Sequence, residues 1–98
     1  MKKKIAILGS TGSIGKNLLD ILNKEKNYKI LLLTGHKNHK TLLKQAKKFN
    51  VKNLIIKDLS SYFNATKFNR SKNINIYNNF NQIDKIIKKK NRLYNVLN

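Results

Sequence analysis

Apolar and polar residues follow one another along the chain in short blocks, each about as long as one strand or one helix. Residues 4–8 begin with Lys4 and continue as an apolar run, Ile-Ala-Ile-Leu, of the kind found in strands buried in a parallel sheet. Apolar residues then recur at helical spacing, at Ile14, Leu18, Leu19 and Leu22. They predict a helix over residues 13–24 with one face against the sheet, followed by a second strand over residues 29–34. Together these elements predict a right-handed βαβ unit.

The same alternation continues beyond the second strand. A second amphipathic helix is predicted from the spacing of Leu42, Leu43, Ala46 and Phe49. The apolar residues 54–56 predict a third strand. Polarity rises afterwards, and Ser60 and Ser61 suggest a loop or a short helix start, so we expect a loose region over residues 59–72.

Three further elements are predicted in the last quarter of the chain. Ile74 and Ile76 flank a polar residue, which is the alternation typical of a short strand. The apolar residues 83, 86 and 87 predict one more helix, and residues 93–97 predict a final strand. This order of elements predicts a Rossmann-like α/β fold, with a doubly wound parallel sheet between two layers of helices. A chain of 98 residues is long enough for one such domain with a modest core, so we expect residues 1–98 to form a single domain.

The glycines indicate where the chemistry of this domain lies. Gly9, Gly12 and Gly15 follow the first predicted strand and open the first predicted helix. In dinucleotide-binding domains such glycines allow a sharp turn, a close approach of backbone to pyrophosphate and close packing of the helix. The N–H groups at the helix start, near Ser13 and Ile14, would then face the phosphates. The spacing is G-x-x-G-x-x-G, because Ser10 occupies the position of the second glycine in the commoner pattern.

The formal charge of +18 suggests nucleic acid or an anionic membrane at first sight. Lysine greatly outnumbers arginine, however, and asparagine and isoleucine are abundant, which is the residue set that A+T-rich codons encode. The basic residues are also spread from Lys2 to Arg92 instead of forming one arm with interleaved aromatic residues. We therefore expect nucleic-acid binding to be nonspecific at most, and no membrane association.

The end of the second strand favours NADP over NAD. Domains that prefer NAD usually carry an acidic residue there, which binds the adenosine ribose. Here the strand is followed by residues 34–38, which contain no acid. Lys37, with help from His36 or Lys40, would meet a 2′-phosphate with positive charge. The alternative is that Lys37 is one more solvated lysine in a lysine-rich chain.

The same residues resemble a known family. Residues 4–15, with the core Ile-Leu-Gly-Ser-Thr-Gly-Ser-Ile-Gly, and residues 33–38 are similar to the amino-terminal part of 1-deoxy-D-xylulose 5-phosphate reductoisomerases. The resemblance implies an enzyme of the non-mevalonate route to isoprenoid precursors. Such enzymes convert deoxyxylulose phosphate to methylerythritol phosphate by a rearrangement assisted by Mg²⁺ or Mn²⁺ and by hydride transfer from NADPH.

The resemblance also implies roles for individual residues. Residues 11–14 would wrap the pyrophosphate of NADPH, and Lys37 and Asn38 would lie beside the adenosine ribose and its phosphate. The family often has glycine where this chain has His36, whose ring adds bulk. The predicted cofactor-binding residues are Gly9, Thr11, Gly12, Ser13, Ile14, Gly35, His36, Lys37 and Asn38.

The sequence predicts no catalytic or metal-binding residue within this chain. The acidic residues are scattered and show no spacing suited to a divalent ion, so we expect them to be surface charges: Asp20, Glu25, Asp58 and Asp84. Ser10 and Ser13 are better explained by phosphate contact and helix capping than by nucleophilic attack. The resemblance implies that the family's metal and substrate sites lie beyond the matched region, so that the chain would be a fragment, a shortened gene product or a subunit completed by a second chain.

Two other functions stay open at the level of sequence. One is the nucleotide domain of a different NADP-dependent oxidoreductase, such as a semialdehyde dehydrogenase, although the chain lacks the nucleophilic cysteine. The other is a basic module that associates with nucleic acid, which a steep salt dependence of binding would reveal. The absence of cysteine, of a long apolar run and of a signal-peptide cleavage region leads us to expect a cytoplasmic protein.

Overall fold

The computed structural model describes residues 3–69, 73–82, 86 and 92–95. Within these residues, five strands form one parallel sheet, and three complete α-helices and a 3-10 turn lie between them. The strands are β1 (Lys3–Leu8), β2 (Tyr28–Gly35), β3 (Asn53–Ile56), β4 (Asn75–Tyr77) and β5 (Arg92–Asn95). The helices are α1 (Ser13–Asn23), α2 (His39–Lys48) and α3 (Leu59–Phe68), and the 3-10 turn spans Phe80–Gln82.

The order of strands across the sheet is β4-β3-β2-β1-β5. The chain moves one strand at a time from β1 to β4 and then crosses the whole sheet to pair β5 with the free side of β1. Right-handed crossovers that all run in one direction put their helices on one face of the sheet, and the return crossover passes over the other face. The topology is therefore that of a doubly wound α/β sheet, and the predicted Rossmann-like fold is confirmed.

Each face of the sheet has its own apolar core. The larger core packs α1, α2 and α3 against β1–β3 and includes the fully buried side chains of Ile7, Leu19 and Leu42. The smaller core lies on the opposite face, around Ala6, Leu32 and Ile55. Phe80 of the 3-10 turn and Ile86 pack against it, so that the described part of the return crossover covers this face.

The apolar run of β2 is unbroken because both faces of the strand are covered, and a bulge places two successive residues of it on the same face. Ile5 pairs with Ile30, but the next residue of β1, Ala6, pairs with Leu32, so Leu31 is an extra residue. Leu31 and Leu32 both join the smaller core. The side chain of Asn53 donates a hydrogen bond to the Leu31 carbonyl at 3.1 Å, which supplies the bulge with a partner from the neighbouring strand.

The prediction of a loose region was wrong for residues 59–68, because they form the helix α3. Of the two structures suggested for Ser60 and Ser61, the helix start is confirmed, and residues 70–72 lie outside the described residues. Asp58 is its N-cap, and its carboxylate accepts hydrogen bonds from the backbone N–H of Ser61 at 3.0 Å and from the Ser61 hydroxyl at 2.8 Å. Ala65 and Ser61 are buried on the sheet side, whereas Phe63 is exposed. This weak apolar stripe explains why periodicity alone did not reveal the helix.

The other predicted elements agree with the structure to within a few residues. The final strand is described over Arg92–Asn95, and residues 96 and 97 lie outside the described residues. Of the helix predicted around residues 83–87, only Ile86 is described, and it is helical. Ile14 is a correction, because its side chain is 57% exposed instead of packing on the sheet. Among the described residues, no helix has the length and apolar character needed to cross a membrane.

The start of α1 lies very close to the turn that precedes it. A Cβ atom on Gly15 would sit 2.6 Å from both the Gly9 carbonyl oxygen and the Ser10 Cα. Real Cβ contacts are never this short, and both neighbours are backbone atoms that cannot rotate away. Gly15 is therefore required for the helix to approach the turn, as the glycine pattern predicts.

We expect Gly15→Ala to destabilise the protein by about 1–2 kcal/mol, since overpacking costs about 2–3 kcal/mol and the higher helix propensity of alanine returns about 1 kcal/mol. Gly35→Ala is the matched control, because its Cβ would meet the nearest atom, Thr11 Cγ2, at an ordinary 3.6 Å. Urea unfolding of the two variants measures the difference. Equal stabilities would contradict the close approach.

Candidate nucleotide-binding site

The turn after β1 is held against the end of β2 by three hydrogen bonds to one residue. The Thr34 carbonyl accepts from the backbone N–H of Gly9 at 3.1 Å and of Ser10 at 3.0 Å. The Thr34 hydroxyl oxygen accepts from the same Gly9 N–H at 3.0 Å. Gly9 itself has φ 79°, a left-handed conformation that favours glycine and lets the chain turn sharply at the strand end.

Ser10 joins the turn to α2 through two hydrogen bonds with Gln45. Its hydroxyl donates to Gln45 Oε1 at 2.8 Å, and Gln45 Nε2 donates to the Ser10 carbonyl at 2.9 Å. Both side chains are buried, with Ser10 fully enclosed. The Ser10 hydroxyl is thus committed to the protein interior, which corrects the prediction that it contacts phosphate or caps a helix.

The N-terminus of α1 opens at the solvent side of this turn. Gly12 is the N-cap, with φ −77° and ψ 174°, and its carbonyl accepts from the Lys16 N–H at 2.9 Å. Ser13 is the first helical residue, so it does not cap the helix as predicted. The first N–H groups of a helix have no partner within the helix, and they give this end partial positive charge. Since Ser13 and Ile14 are exposed, the helix start is accessible to an anion.

The second predicted segment, at the end of β2, touches the turn. The Thr11 side chain lies against Gly35, where an added Cβ would meet Thr11 Cγ2 at 3.6 Å and Leu42 Cδ2 at 3.7 Å. Gly35 is buried, whereas Thr11 is half-buried. The structure therefore brings the glycine turn and the loop after β2 together at one edge of the sheet.

The loop after β2 presents its side chains to solvent. His36, Lys37 and Asn38 are all exposed. Asn38 is the N-cap residue of α2 but makes no capping hydrogen bond with its side chain. The loop is tightened by a hydrogen bond from the His39 N–H to the Lys37 carbonyl at 2.8 Å. The loop thus carries an exposed cationic residue, Lys37, two positions beyond the residue that lies against Thr11 of the turn.

Asp58 is the acidic residue that lies beside this loop. Its backbone N–H donates to the His36 carbonyl at 3.0 Å, and the preceding N–H of Lys57 donates to the Gly35 carbonyl at 3.1 Å. Hydrogen bonds from the Ser61 hydroxyl and the Ser61 N–H hold the pKa of the Asp58 carboxyl below its usual value of 3.8. The positive charges of Lys37 and His36 lower this pKa further, against the opposing effect of desolvation. Asp58 is therefore not the isolated surface charge that the sequence suggests.

The topology places this edge where ligands bind in open α/β sheets. Such ligands lie outside the carboxyl ends of the strands, at the point where the strand order reverses. Here the reversal occurs at β1, since β2 pairs on one side of it and β5 on the other. The glycine turn follows β1 directly, so it lies at the switch point, with the His36–Asn38 loop on one side and the end of β5 on the other.

Two cavities lie in other parts of the fold, and the first of them reaches Gln45 behind the glycine turn. One, of about 270 Å³, is a groove between α1 and α2 lined by Lys16, Thr41, Lys44 and Lys48 among others. The other, of about 730 Å³, lies at the opposite end of the sheet, near Glu25 and Tyr28. The candidate site is an open edge by comparison. Within the part of the chain that the structure describes, no three His, Asp or Glu residues are grouped as metal ligands.

Three residues of this site were missed by the sequence analysis, although two of them left a signal. Gln45 lies three residues after Leu42 and one before Ala46, so it is a polar residue on the apolar stripe of α2. Asp58 precedes Ser61 by three residues, which is the spacing of an N-cap and its partner. Thr34 gave no comparable signal, because its contact with the turn depends on how β1 and β2 pair.

Comparisons with known proteins agree on one family. The sequence profile of the 1-deoxy-D-xylulose 5-phosphate reductoisomerases matches residues 5–97. The reductoisomerase of Pelagibacter ubique is 49% identical over 92 residues, which are 93% of this chain and 24% of that protein. The enzyme from a Thermoanaerobacter species is 39% identical over 88% of this chain and 22% of its own length. The chain thus spans about a quarter of the length of the relatives it matches.

Solved structures of the same family resemble the fold. The reductoisomerase from Zymomonas mobilis in complex with NADPH superposes with a TM-score of 0.73 and 29% identity, over 79% of this chain and 21% of that one. A reductoisomerase with fosmidomycin and magnesium gives a TM-score of 0.77 at 25% identity, over 93% of this chain and 24% of the other.

We expect Gln45→Leu to destabilise the protein by about 1–3 kcal/mol, because it leaves the Ser10 hydroxyl and carbonyl buried without partners. Adding Ser10→Ala should recover part of this loss, since only the carbonyl then remains unpaired. Urea unfolding of the two single variants and the double variant forms a double-mutant cycle. Strictly additive losses would show that Ser10 and Gln45 do not act as a pair.

The Asp58 carboxylate should make stability depend on pH in the acid range. Because its pKa is lower in the folded protein than the usual 3.8, its contribution is complete above that value and is lost as the pH falls through the folded pKa. Asp58→Asn keeps an oxygen that accepts from the Ser61 N–H but cannot titrate there. The advantage of wild type over Asp58→Asn in unfolding free energy should therefore stay constant from about pH 7 to about pH 5 and shrink as the pH falls below about 4. A difference that stays constant below about pH 4 would contradict the assignment.

Proposed function

Residues 5–97 match the 1-deoxy-D-xylulose 5-phosphate reductoisomerase profile, so this chain belongs to that family, and we propose that it is the NADPH-binding amino-terminal region of such an enzyme. The observation that carries the proposal is the contact between the glycine turn and the Gly35–Asn38 loop at the switch point of the sheet. This chain superposes on two reductoisomerase structures that contain NADPH, with TM-scores of 0.73 and 0.70.

In this proposal the pyrophosphate lies over the start of α1. The backbone of Thr11, Gly12 and Ser13 lines its path, and Gly12 has no side chain to block the approach. The helix dipole and the N–H groups of the first turn supply the positive field that a diphosphate needs. Gly9 and Gly15 contribute indirectly, because they set the turn and let α1 reach it.

The adenosine end lies over the loop after β2. Lys37 is exposed there and carries the charge that attracts a 2′-phosphate, while His36 and Asn38 flank it. Bound NADPH supplies the hydride in the family's reaction. The role of this chain is to hold and orient the dinucleotide, and we propose no proton transfer or covalent step for its own residues.

The described residues do not provide a binding site for the metal of the family's reaction. Among the described residues no cluster of His, Asp or Glu offers three ligands, so no step of the chemistry is assigned to a metal here. We propose that the rearrangement of deoxyxylulose phosphate depends on residues outside this chain, either in a longer form of the protein or in a second chain. Residues 1–98 then act as one nucleotide-binding domain of isoprenoid precursor synthesis in the cytoplasm.

Association with nucleic acid is not part of the proposed function. The charge of +18 would support weak binding to any polyanion at low salt, and such binding is sequence-independent. The local geometry of the turn instead suits one diphosphate, which a general excess of lysine does not explain.

We expect the purified chain to bind NADPH more tightly than NADH, and Gly12→Asp to abolish the binding of both. Gly12 has the extended conformation of an N-cap, where aspartate is a favoured residue, so the variant should fold. Its carboxylate then occupies the position of the pyrophosphate. Titration followed by the fluorescence of the reduced nicotinamide measures both affinities.

Gly12→Asn is the matched control, because it has the same shape as aspartate at this position and no charge. It should weaken binding less than Gly12→Asp, while the two variants keep the same melting temperature to within a few degrees. Equal affinities of wild type for NADPH and NADH, or undiminished binding by Gly12→Asp, would contradict the proposed function.

A further inference from the structure

The acid nearest to the proposed 2′-phosphate position comes from β3 and not from β2. Domains that prefer NAD carry their acidic residue at the end of the second strand, where it meets the ribose hydroxyls. In this chain the corresponding loop has only basic and neutral side chains, His36, Lys37 and Asn38. Asp58 follows β3, the next strand of the sheet, and reaches the same loop from the side.

The backbone fixes Asp58 beside this loop. Gly35 pairs with Ile56 in the parallel ladder, and two further hydrogen bonds extend that pairing beyond the strand ends. The Lys57 N–H donates to the Gly35 carbonyl at 3.1 Å, and the Asp58 N–H donates to the His36 carbonyl at 3.0 Å. The backbone of Asp58 is therefore hydrogen-bonded to His36, which directly precedes Lys37.

The carboxylate is also held in one orientation. One of its oxygens, Oδ2, accepts both from the Ser61 N–H at 3.0 Å and from the Ser61 hydroxyl at 2.8 Å, at the start of α3. These bonds favour the ionised form and hold the carboxylate at the start of α3, while the backbone of the same residue is bonded to the loop. The hydrogen bonds from Ser61 lower the pKa of the Asp58 carboxyl most, and the nearby Lys37 and His36 lower it further, in keeping with the place of Asp58 beside the loop.

We propose that Asp58 is a specificity-determining residue that weakens the preference of this site for a 2′-phosphorylated dinucleotide. This inference rests on the proposed function, since it concerns the same site. The Asp58 carboxylate and a 2′-phosphate are both anions that are stabilised by Lys37. The phosphate must therefore enter a field that Asp58 has already partly neutralised, and the two anions repel each other. NADH has no 2′-phosphate and is affected much less.

The test compares NADPH and NADH affinities in wild type and Asp58→Asn. Asparagine keeps an acceptor for the Ser61 N–H, so α3 retains a cap while the charge is lost. We expect NADPH to bind about threefold more tightly to Asp58→Asn than to wild type, whereas the affinity for NADH should change by less than about 1.5-fold. This gain in NADPH affinity should vanish at about 1 M salt, where charges in water are screened within about 3 Å.

Adenosine 2′,5′-bisphosphate and adenosine 5′-monophosphate probe the adenosine end alone. The bisphosphate should bind more tightly to Asp58→Asn than to wild type, as NADPH does, whereas the monophosphate should change as little as NADH.

Two control variants separate this local effect from others. Glu25→Gln changes the net charge from +18 by the same single unit but lies beyond the C-terminus of α1, at the opposite end of the sheet. It should leave the ratio of NADPH to NADH affinity unchanged. Ser61→Ala removes the 2.8 Å hydroxyl bond to Asp58 but keeps the carboxylate, so it should lower stability without changing the ratio.

Each outcome bears on the inference. An unchanged ratio in Asp58→Asn, a weaker binding of NADPH, or an equal rise in Asp58→Asn and Glu25→Gln overturns it and leaves the proposed function standing. If wild type binds neither dinucleotide, the proposed function fails and this inference fails with it. Lys37→Gln should lower the affinity for NADPH. In a chain that already carries Lys37→Gln, adding Asp58→Asn should change that affinity much less than it does in wild type.

Discussion

The close approach of α1 to the turn between β1 and α1 is the constraint on which the candidate site depends. At Gly15 the helix lies so near the Gly9 carbonyl and Ser10 that no side chain fits between them. On its other side the turn is bonded to Thr34 of the neighbouring strand. Because the turn is confined between a helix and a strand, its backbone has one conformation, and the helix N-terminus points at a defined place on the sheet edge.

Buried hydrogen bonds fix the position of α2 relative to the turn at the same edge of the sheet. Most of the interface between α2 and the sheet is apolar, and apolar packing alone tolerates small shifts. The reciprocal bonds between Ser10 and Gln45 are directional, so they fix α2 relative to the turn. The loop that carries Lys37 leads directly into α2, and the register of that helix therefore sets the distance between the two halves of the site.

The net charge of the whole chain and the few charges at the candidate site have different effects on ligand binding. The excess of lysine gives a general attraction for anions, which selects no particular ligand. In the proposed site, selectivity would depend on the few charges that the fold brings to one edge, namely those of Lys37 and of Asp58, whose backbone is bonded to His36. Composition alone does not single out Asp58 from the other three acidic residues, because its place beside the loop depends on how the strands pair.

The sequence by itself determined the strands, the first two helices, the glycine turn and the family, because these depend on local periodicity and on residues adjacent in the chain. It did not establish α3, whose apolar stripe is weak, although the spacing of Asp58 and Ser61 is that of a helix cap. Only the tertiary structure decided that Thr34, Gln45 and Asp58 belong with the turn and loop. Each of these contacts joins segments that are at least 22 residues apart or on different strands, and no local pattern encodes such a pairing.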